Sequence, residues 1–581
     1  MHYNFIKQTN KRYLEELNNR WHEFPVVSDA VNIMQRTEWV INKPVFDVFN
    51  TCVMNSYQLG KLPINPEDIP LPPKPFDIAT NKEAKTKWKR EASTVYKDRA
   101  KAKSQFIQVR QILAEAKDYL DTGIWYCQQL DFRGRVYPKS TMLSPQSADY
   151  ARALLKFRFG KPMGSNEAFE NFAVAGAGLF GETDKLELAY RRQWVIDNAE
   201  KIISTANNPL TDTYWTKADK PYSFLAWCIE YRDFALTDFD PKFITTLPIH
   251  SDCSNSGLQH YSAMMRDEVG GKATNLIPSN RPNDVYLSVA EKVIDKLEDI
   301  KRTGDLNLPE SKSKNSKARK LTPEEHKHLA TQWLDYGIDR KICKKPVMCL
   351  PYSLTQYSCR TYIQAHVEKE LIENNRQHEF GDDLFHSTHW LTKIVWASIN
   401  DVIVGAKEIM KFIKAVAKLV ASENLPVSWT SPLGLPVFMS VYKKESKRVK
   451  TRMGDSIIKL SISSMTDKID GRKTQQSICP NLIHQLDSSV LSLAVVKASE
   501  LGVDTFSLIH DSFGTLSPDS DKMSLALREA FCEIYSQDVL ANWAIEMKQM
   551  LSEKNQKKFP PIPAKGNLVL EDVKKSVFFC V

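Results

Sequence analysis

The sequence predicts a mixed α/β protein that is largely helical and divided into two or more subdomains. Its 581 residues are too many for one simple apolar core. Residues 1–60 and 80–122 interleave polar and apolar side chains as helices do, and from about residue 124 short strand-like runs alternate with longer helices. The hydrophobic content of 42% and the charged content of 26% are typical of a soluble globular protein.

Three stretches interrupt this pattern. Residues 61–77 (KLPINPEDIPLPPKPFD) contain six prolines, which predicts an extended crossing segment instead of a helix. Residues 301–323 are polar and charged, which predicts a loop insertion. Within residues 435–465, two strand-like arms flank Met453-Gly454-Asp455, which predicts a β-hairpin.

The basic residues are clustered, although the net charge of +9 is modest for this length. The clusters are residues 82–103 (KEAKTKWKREASTVYKDRAKAK), 311–320 (SKSKNSKARK) and 443–452 (KKESKRVKTR). Any single run is typical of a solvated face or loop. Three such runs in one chain favour a polyanionic partner.

Several classes of protein are disfavoured. The ten cysteines show no CxxC or Cys/His spacing for zinc, and we expect reduced thiols in a cytoplasm. The first residues, MHYNFIKQTNKRY, lack the apolar core of a signal peptide. No run of about 18 apolar residues exists, so a membrane span is not expected.

Two stretches place a carboxylate at the end of a strand. In SLIHDSFGT (507–515), Asp511 lies at or near the tip of a predicted hairpin, and in LPIHSDCSNSGLQH (247–260) Asp252 leaves a strand beside small residues. Magnesium prefers oxygen ligands, and two strand-end carboxylates from distant parts of a chain can build a two-metal phosphoryl-transfer site. The alternatives are a turn-forming Asp511 and a helix-capping Asp252, because the sequence alone does not bring the two together.

A third stretch, RKICKKPVMCLPYS (340–353), carries two cations on one predicted helix face. Arg340 and Lys344 are spaced i, i+4, and such a face suits a triphosphate, with Lys344 near the phosphate that is attacked. Tyr352 follows Pro351, where the helix should kink or stop, and its ring could stack on a nucleotide sugar or base. The alternative is an ordinary basic surface helix.

Two further stretches carry candidate binding residues. In LDFRGRVYP (130–138), Arg133 and Arg135 flank Gly134 on a predicted tight turn that suits phosphate backbones. In CPNLIHQLDSS (479–489), His484 lies in a segment with helical character. The alternatives are a structural Arg–Asp pair and a structural histidine.

Together these stretches resemble the motifs of the single-subunit DNA-dependent RNA polymerases of T7-like phages, which are relatives of the mitochondrial enzyme. DFRGRVYP is similar to the family's DxxGR motif, DCSNSGLQHYSAMMRDEVGG to motif A, RKICKKPVMCLPY to motif B and SLIHDSFGT to motif C. PAKGNL (563–568) and the aromatic pair Phe578 and Phe579 resemble the family's carboxyl end. The order and rough spacing agree from about residue 124 to 581, and residues 29–123 resemble the family more weakly.

The resemblance implies a right-handed polymerase with a palm built on an antiparallel sheet, fingers and a thumb. Asp252 and Asp511 would be the palm carboxylates that bind two magnesium ions. Arg340 and Lys344 would meet the incoming triphosphate from the fingers helix. Lys344 would also act as the general acid for the departing pyrophosphate.

The resemblance assigns roles to four further residues and to the hairpin. Tyr352 would gate the ribose site, and His484 would assist recognition of the 2′-hydroxyl. Arg135 would hold the template–product hybrid near the active centre, and His510 would support Asp511. The hairpin around Met453 would be the specificity loop, whose basic arms suit phosphate contact and base readout in the major groove.

The implied domain boundaries follow the motifs. Residues 1–123 would form a residual N-terminal and thumb-side helical region that includes the crossing segment 61–77. Residues 124–270 would form the palm with motif A, and residues 271–430 the fingers with motif B and the insertion 301–323. Residues 431–478 would form the specificity-loop region, and residues 479–581 the palm with motif C and the C-terminal segment.

The sequence departs from the family pattern at three points. Ser353 follows the motif B tyrosine where the family has glycine, so a side chain there would narrow the ribose or template site. In RRQWVIDNAEKI (191–202), Gln193 aligns with a position that can carry a phosphate-contacting lysine, and the neighbouring Arg192 is the expected substitute. Most of the family's large N-terminal promoter-binding domain is absent, which leaves a fragment, one half of a split enzyme or a naturally short polymerase as alternatives.

The implied function is DNA-templated joining of ribonucleoside triphosphates with release of pyrophosphate. The implied partners are a DNA template and promoter, nascent RNA and ribonucleoside triphosphates, with no membrane. We expect a monomer unless an N-terminal polymerase fragment is supplied in trans, and independent promoter opening is not expected. A phage-encoded chain would act in the bacterial host cytoplasm.

Two alternative functions differ from this one in class or in substrate. A DNA polymerase of the same superfamily is disfavoured because motif C reads His-Asp-Ser where that rival carries His-Asp-Glu. It is disfavoured also because Ser256-Gly257 stands where the rival carries a bulky gate against ribose, and because the chain has no room for a proofreading exonuclease. A non-catalytic nucleic-acid-binding fragment is disfavoured by the intact carboxylates and cations of motifs A, B and C.

Overall fold

The computed structural model describes residues 5–7, 10–183, 186–306, 321–454 and 456–580. Its first part is helical, as predicted, with one exception. The elements are α1 (Lys11–Arg20), α2 (Pro25–Gln35), β1 (Glu38–Ile41), α3 (Lys43–Met54) and α4 (Lys82–Asp118). Strand β1 departs from the helical prediction for residues 1–60, because alternate side chains, Trp39 and Ile41, enter the core.

The proline-rich segment 61–77 contains no α-helix, as predicted; it has a short 3₁₀ turn at Pro66–Asp68 and ends in a turn that begins at residue 76. Arg99 of α4 donates to the Ile69 carbonyl from Nε at 2.8 Å and from Nη2 at 2.5 Å. This contact ties the segment to α4. The helix is 37 residues long and leaves most of its basic side chains exposed.

From residue 124 the chain alternates strands and helices, as predicted. The elements are β2 (Ile124–Trp125), β3 (Gln128–Leu130), β4 (Val136–Pro138), α5 (Asp149–Ala153), β5 (Leu155–Phe157), β6 (Lys161–Pro162), α6 (Asn166–Phe180), α7 (Leu188–Asp197), α8 (Ala199–Asn207), α9 (Pro221–Ala235), β7 (Ile244–Thr245), β8 (Ile249–Asp252), α10 (Ser256–Met265) and α11 (Glu268–Ala273). The strands pair antiparallel in the orders β2–β1–β5, β3–β4 and β6–β7. The α/β alternation therefore corresponds to small antiparallel ladders between helices.

The next part is helical. Its elements are α12 (Val285–Thr303), α13 (Pro323–Tyr336), α14 (Arg340–Cys349), α15 (Gln356–Asn374), α16 (Leu384–Val402) and α17 (Val404–Ser422). Residues 307–320 of the predicted insertion 301–323 lie outside the described residues. Across the described ranges, we find no helix with both the length and the apolar character that crossing a membrane requires.

The carboxyl-terminal part contains both predicted hairpins. Its elements are β9 (Val427–Thr430), β10 (Pro436–Met439), β11 (Tyr442–Met453), β12 (Ser456–Ile469), α18 (Gly471–Glu500), β13 (Ser507–Ile509), β14 (Ser512–Thr515), α19 (Ser520–Ser536), α20 (Val539–Gln549), α21 (Glu553–Gln556) and α22 (Asp572–Lys575). Strands β11 and β12 form the long hairpin, and β13 and β14 form the short one. Strand β8 joins the short hairpin in an antiparallel sheet of order β13–β14–β8, so the predicted antiparallel sheet is confirmed.

The apolar interior forms two clusters, as expected for a chain too long for one core. One cluster is built largely on α12, α17 and α18, and the other on α6 and α9. The sheet β13–β14–β8 lies at their junction, because Leu508 and Phe513 belong to the first cluster and Ile249 and Leu516 to the second. Fully burying such side chains stabilises the fold by about 1.5–3 kcal/mol each, which fixes the sheet between the two cores.

The expectation of reduced thiols is wrong for two of the ten cysteines. Cys253 and Cys580 form a disulfide although 327 residues separate them, and their Cα atoms are 4.1 Å apart. The same residues form an isolated antiparallel backbone bridge. Sequence spacing gave no sign of this pair, because tertiary structure alone brings the two residues together.

Candidate active site

Pairing of β8 with β14 brings the two predicted carboxylates together. Asp252, the last residue of β8, is the register partner of Ser512, which directly follows Asp511. The backbone N–H of Cys253 donates to the carbonyl of Asp511 at 3.3 Å. The alternative readings of isolated capping or turn-forming aspartates are therefore insufficient, since both carboxylates lie on one edge of one sheet.

The tip of the β13–β14 hairpin consists of two residues, His510 and Asp511, between the paired Ile509 and Ser512. His510 has φ +57°, in the left-handed region that favours glycine. Its ring meets the Tyr137 ring edge to face at 4.9 Å. Burial and the Arg135 guanidinium lower the pKa of His510 to about 4, so a neutral imidazole packs behind the tip.

The two carboxylates have opposite electrostatic surroundings. Partial burial opposes the ionisation of Asp252, but the Lys220 ammonium, 3.7 Å from Oδ2, and the Ser512 hydroxyl outweigh it and lower the pKa of Asp252. Burial raises the pKa of Asp511, and the nearby Asp487 carboxylate raises it further. An added cation at this edge would favour the ionised form of both groups.

Helix α14 presents the two predicted cations. Its N-cap, Asp339, accepts from the backbone N–H of Ile342 at 3.0 Å. Arg340 donates from Nε to Asp284, and its guanidinium lies 5.3 Å from the centre of the Tyr286 ring. Lys344 is exposed, and in the described part of the chain its ammonium has no ion-pair partner. Arg340 is thus held in place, whereas Lys344 is available to a ligand.

These groups line one cleft of about 790 Å³. Asp252, Asp511, Arg340 and Lys344 all contribute to its wall, together with Lys220, which the sequence analysis missed. Lys220 precedes the first residue of α9 and is separated from motif A by a helix and a strand. No spacing rule singles it out, because the fold alone carries it to Asp252.

The N-terminus of α9, which positions Lys220, is capped by a side chain from another helix, Asp149 of α5. The Asp149 carboxylate accepts from the backbone N–H of Tyr222 at 2.7 Å and from the Ser223 hydroxyl at 2.6 Å. An acidic group at a helix N-terminus satisfies backbone donors that the helix leaves open. Asp149 therefore fixes the direction in which Lys220 enters the cleft.

The other four predicted site residues, Arg135, Tyr352, His484 and His510, do not line this cleft. They lie behind Asp511 in a second, more buried group. The rings of Tyr352 and His484 are 5.1 Å apart, and Arg135 forms an ion pair with Asp487. We call this group, with Asp487, the rear cluster.

His484 of the rear cluster is a neutral imidazole with a defined tautomer. Arg133 has only donors to offer, so its Nη1, 2.6 Å from His484 Nδ1, must donate to that nitrogen. The proton of the neutral ring then lies on Nε2. Burial, with the Arg135 and Arg133 guanidinium groups, lowers the pKa of His484 to about 3. Arg133 also pairs with Asp131, which confirms the structural Arg–Asp alternative for this arginine.

Tyr352 is placed by a helix end, as predicted. Helix α14 ends at Cys349, a 3₁₀ turn covers Leu350–Tyr352, and Ser353 adopts the left-handed conformation with φ +65°. A Cβ on Gly257 would lie 2.8 Å from the Pro351 Cβ and 3.5 Å from the Tyr352 hydroxyl. The small residues of motif A were expected to leave space for a ligand. At Gly257, Pro351 and Tyr352 occupy part of that space.

The expected substitution of Arg192 for the family lysine stays a prediction. Arg192 pairs with Glu170, Gln193 donates to Asp197 at 2.8 Å, and neither residue lines the cleft. Arg191 is the residue of this stretch that lines the cleft. The alignment of the RRQ run is ambiguous. The helical phase of α7 determines which of its arginines faces the cleft, and this is Arg191.

The carboxylates fit a divalent cation. Magnesium usually takes one or two carboxylates and completes its shell with water and substrate phosphates. Asp252 and Asp511 supply that number, and the described residues hold no group of three or more His, Cys, Asp or Glu side chains suited to a metal ion. A metal here would therefore depend on the triphosphate for the rest of its ligands.

Comparison with known proteins agrees with the geometry. The profile of a family described as DNA-dependent RNA polymerase matches residues 161–559. The DNA-directed RNA polymerase of Enterobacteria phage K11 is 34% identical over 95% of this chain and 63% of its own length, and T7 RNA polymerase of Escherichia phage T7 is 35% identical over 95% and 64%. DNA-directed RNA polymerase 2, chloroplastic/mitochondrial, of Arabidopsis thaliana is 32% identical over 95% of this chain and 52% of its own length.

The chain thus spans less than two thirds of the length of these relatives. A solved structure, the POL domain of Pol1 from M. smegmatis in complex with DNA primer-template and dNTP, has a TM-score of 0.38 and 10% identity over 89% of this chain and 67% of that chain. A likeness at that level favours neither RNA nor DNA synthesis.

Proposed function

Because the chain belongs to the DNA-dependent RNA polymerase family, we propose that it joins ribonucleoside triphosphates on a DNA template and releases pyrophosphate. One observation carries the proposal. Two carboxylates, Asp252 and Asp511, share a cleft with several cations, among them Lys220, Arg340 and Lys344. This is the donor set that a metal-bound triphosphate requires.

The charged residues of the cleft have separate roles in the proposed reaction. Two magnesium ions held by Asp252 and Asp511 would activate the attacking oxygen and neutralise the leaving group. The RNA 3′-hydroxyl releases its proton to solvent and attacks the α-phosphorus in line, the bond to the α–β bridging oxygen breaks, and pyrophosphate leaves with the electron pair. Lys344, without an ion-pair partner among the described residues, donates the proton to pyrophosphate, and Arg340 orients the phosphates.

The rear cluster selects the sugar in this proposal. Tyr352 gates the ribose site, and His484 offers its Nε2–H to the 2′-hydroxyl. The ring contact of 5.1 Å and the acceptor role of Nδ1 support these assignments. A contact of Arg135 with the template–product hybrid and the support of Asp511 by His510 stay predictions, as do the domain boundaries and the promoter-reading role of the β11–β12 hairpin.

Extension of an RNA primer on a DNA scaffold, with ribonucleoside triphosphates and magnesium, tests the proposal. We expect extension by the wild-type chain and near-complete loss in Asp252→Asn and in Asp511→Asn. Asp238→Asn is a matched control: it removes an exposed carboxylate where φ is +52°, a conformation that asparagine tolerates. Robust extension by either cleft variant would reject the two-carboxylate mechanism.

The second candidate function is that of a DNA polymerase of the same superfamily, which would use deoxyribonucleoside triphosphates as substrates. The relatives named above are RNA polymerases, which supports the first candidate. Replacing ribonucleoside by deoxyribonucleoside triphosphates in the same assay separates the two. Faster incorporation of deoxynucleotides would overturn the choice.

Promoter use is a separate part of the proposal. Comparing transcription from a duplex promoter with scaffold extension, with and without a candidate N-terminal polymerase fragment, tests chemistry and initiation independently. Activity on the scaffold alone would place the deficit in initiation. The cytoplasmic location stays a prediction, because the relatives include phage and organellar enzymes.

A further inference from the structure

We infer that Asp487 is a positioning residue for ribose selection, which acts by fixing Arg135 and the turn around it beside His484 and Tyr352. The inference rests on the proposed polymerase function and assigns a role to a residue that the sequence analysis did not single out. Asp487 lies on α18, one turn after His484, and its side chain is 2% exposed. A carboxylate this deep must be compensated from several sides.

Two donors provide that compensation. Arg135 Nη2 donates to Oδ2 of Asp487, and His260 Nε2 donates to Oδ1 at 2.7 Å. The other ring nitrogen of His260 lies 2.5 Å from the Tyr535 hydroxyl. Burial opposes ionisation of Asp487, but the hydrogen bond and charge of His260 and the charge of Arg135 lower its pKa. Asp487 is therefore a fixed anion at pH 7.

One face of α18 holds the turn formed by residues 131–135. The shorter contacts come from His484, Asp487 and Ser488, which are spaced i, i+3 and i+4 and so share a face, and Asn481, one turn before His484, accepts from Arg133 at 3.4 Å. His484 accepts from the first arginine of the turn, Asp487 pairs with its second arginine, and Ser488 donates to the Gly134 carbonyl. With these contacts, the turn has little freedom to move relative to the helix.

The same face of α18 reaches the proposed ribose gate. The Tyr352 ring packs against the His484 ring. Burial raises the pKa of Tyr352, the Asp487 and Asp511 carboxylates raise it further, and the Arg135 guanidinium opposes this rise. Removing the charge of Asp487 would release Arg135 next to both side chains. Well-packed apolar residues can match or exceed the stability that a buried ion pair gives, so the pair is better explained by the position it imposes than by stability.

Steady-state extension on the RNA-primed scaffold tests the inference. The readout is the ratio of kcat/KM for a ribonucleotide to kcat/KM for the matching deoxynucleotide. We expect this ratio to fall by at least about tenfold in Asp487→Asn. In Arg135→Gln/Asp487→Asn, where two neutral amides replace the ion pair, we expect the same ratio as in Arg135→Gln alone, because Asp487 acts through Arg135.

Glu230→Gln is the matched control. Glu230 is a partly buried carboxylate that accepts from the Thr245 hydroxyl at 2.5 Å, the Thr246 hydroxyl at 3.2 Å and the backbone N–H groups of Thr246 and Leu247 at 3.4 Å. It contacts no member of the rear cluster. We expect it to lower the thermal unfolding midpoint without changing the ratio.

A wild-type ratio in Asp487→Asn, or effects of the two substitutions that multiply in the double variant, would overturn the inference while the proposed function stands. If Asp487→Asn does not fold, the comparison of the double variant with Arg135→Gln decides alone: a further fall in the ratio overturns the inference, and equal ratios support it. Absence of extension by the wild-type chain would defeat the proposed function and the inference together.

Discussion

Tyr352 has two conformationally restricted neighbours, Gly257 in space and Ser353 in the chain. On one side Gly257 of α10 is in close contact with Pro351. On the other side Ser353 adopts a left-handed conformation, and in the described residues its buried hydroxyl has no partner of good hydrogen-bond geometry, with only the Cys479 thiol as a weak one. A small change at either position should therefore be transmitted to the tyrosine.

Gly257→Ala should displace the 3₁₀ turn that carries Tyr352. The added Cβ would lie 2.8 Å from the Pro351 Cβ, so one of the two must move. We expect a loss of about 1–3 kcal/mol in the free energy of unfolding and a lower kcat/KM for ribonucleotide addition, measured by urea unfolding and scaffold extension. Gly471→Ala is the control, because its Cβ would lie 3.6 Å from the Ala421 Cβ, an ordinary contact. Equal effects of the two substitutions would contradict the prediction.

Ser353→Gly should stabilise the chain. Glycine adopts φ +65° without the cost that other residues bear, and the change removes a buried hydroxyl that has no partner of good geometry in the described residues. Allowing for the greater flexibility of glycine in the unfolded chain, we expect a gain of about 0.5–1 kcal/mol in urea unfolding. Asn375→Gly, at an exposed left-handed position that asparagine tolerates, should change stability by only a few tenths of a kcal/mol. A loss of stability in Ser353→Gly would show that the serine hydroxyl has a partner in solution.

Individual site residues could be predicted from the sequence where their spacing relative to a strand end or along a helix indicates a chemical role. Asp252 and Asp511 follow strands, and Arg340 and Lys344 share a helix face, so each pair could be recognised before the fold was known. Lys220 and Asp487 could not be predicted in this way. Lys220 has no patterned neighbour, and Asp487 looks like an ordinary polar residue of a helix until Arg135 and His260 are placed against it.

Among the elements, the β11–β12 hairpin has two chemically different faces. The cross-strand pairs Arg448–Ser461, Lys450–Lys459 and Arg452–Ile457 lie on one face, and Lys447–Ile462 and Val449–Leu460 lie on the other. Like charges placed directly opposite each other, as in Lys450–Lys459, are unfavourable without a counter-charge. The first face is therefore the better candidate for contact with a polyanion.

Arg448→Ala/Arg452→Ala should weaken binding to promoter DNA and leave scaffold extension unchanged. Log K falls with log salt concentration, and each lost phosphate contact makes this negative slope shallower by about 0.9. We therefore expect the magnitude of the slope to decrease by up to about 2 in fluorescence-anisotropy titrations. Lys447→Ala removes one cation from the opposite face of the same hairpin and should have little effect. An equal loss from Lys447→Ala would mean that net charge, not the face, determines binding.

Element boundaries could be predicted where breakers or turn residues mark them. The proline-rich segment, the stop at Pro351 and the turn at Gly454 are examples. Strand β1 was missed because its four residues lie between helices and read as part of a helical pattern, and only pairing with β2 and β5 makes them a strand. The Cys253–Cys580 bridge was missed for the same reason, since long-range pairing leaves no local trace.

In the whole molecule, the cleft lies beside the sheet that joins the two apolar clusters. Ligands that bridge elements of both clusters should stabilise the entire fold, because they bind the folded chain and not the unfolded one. Lys220 directly precedes α9 of the second cluster, whereas Arg340 and Lys344 belong to α14, which packs on the first.

A ribonucleoside triphosphate with magnesium should therefore raise the thermal unfolding midpoint. At a ligand concentration 100 times the dissociation constant, the expected stabilisation is about 2.7 kcal/mol. Magnesium alone should give a smaller shift, because the two carboxylates supply only part of a metal's ligands. Asp511→Asn should abolish the difference between the triphosphate with and without magnesium in differential scanning fluorimetry. The same difference in both proteins would place the metal elsewhere.

The bridge between Cys253 and Cys580 has a practical consequence for work with this protein. Cys580 is fastened beside Asp252, and the hydrogen bond from Gln259 to the Phe579 carbonyl at 3.0 Å anchors the preceding residue as well. Whatever is attached after Cys580, such as an affinity tag, a dye or a surface linker, would therefore emerge from the wall of the cleft. A label placed there would serve as a local probe of the cleft and would compete for its space, whereas the exposed helix α4 offers a site for attachment well apart in the chain.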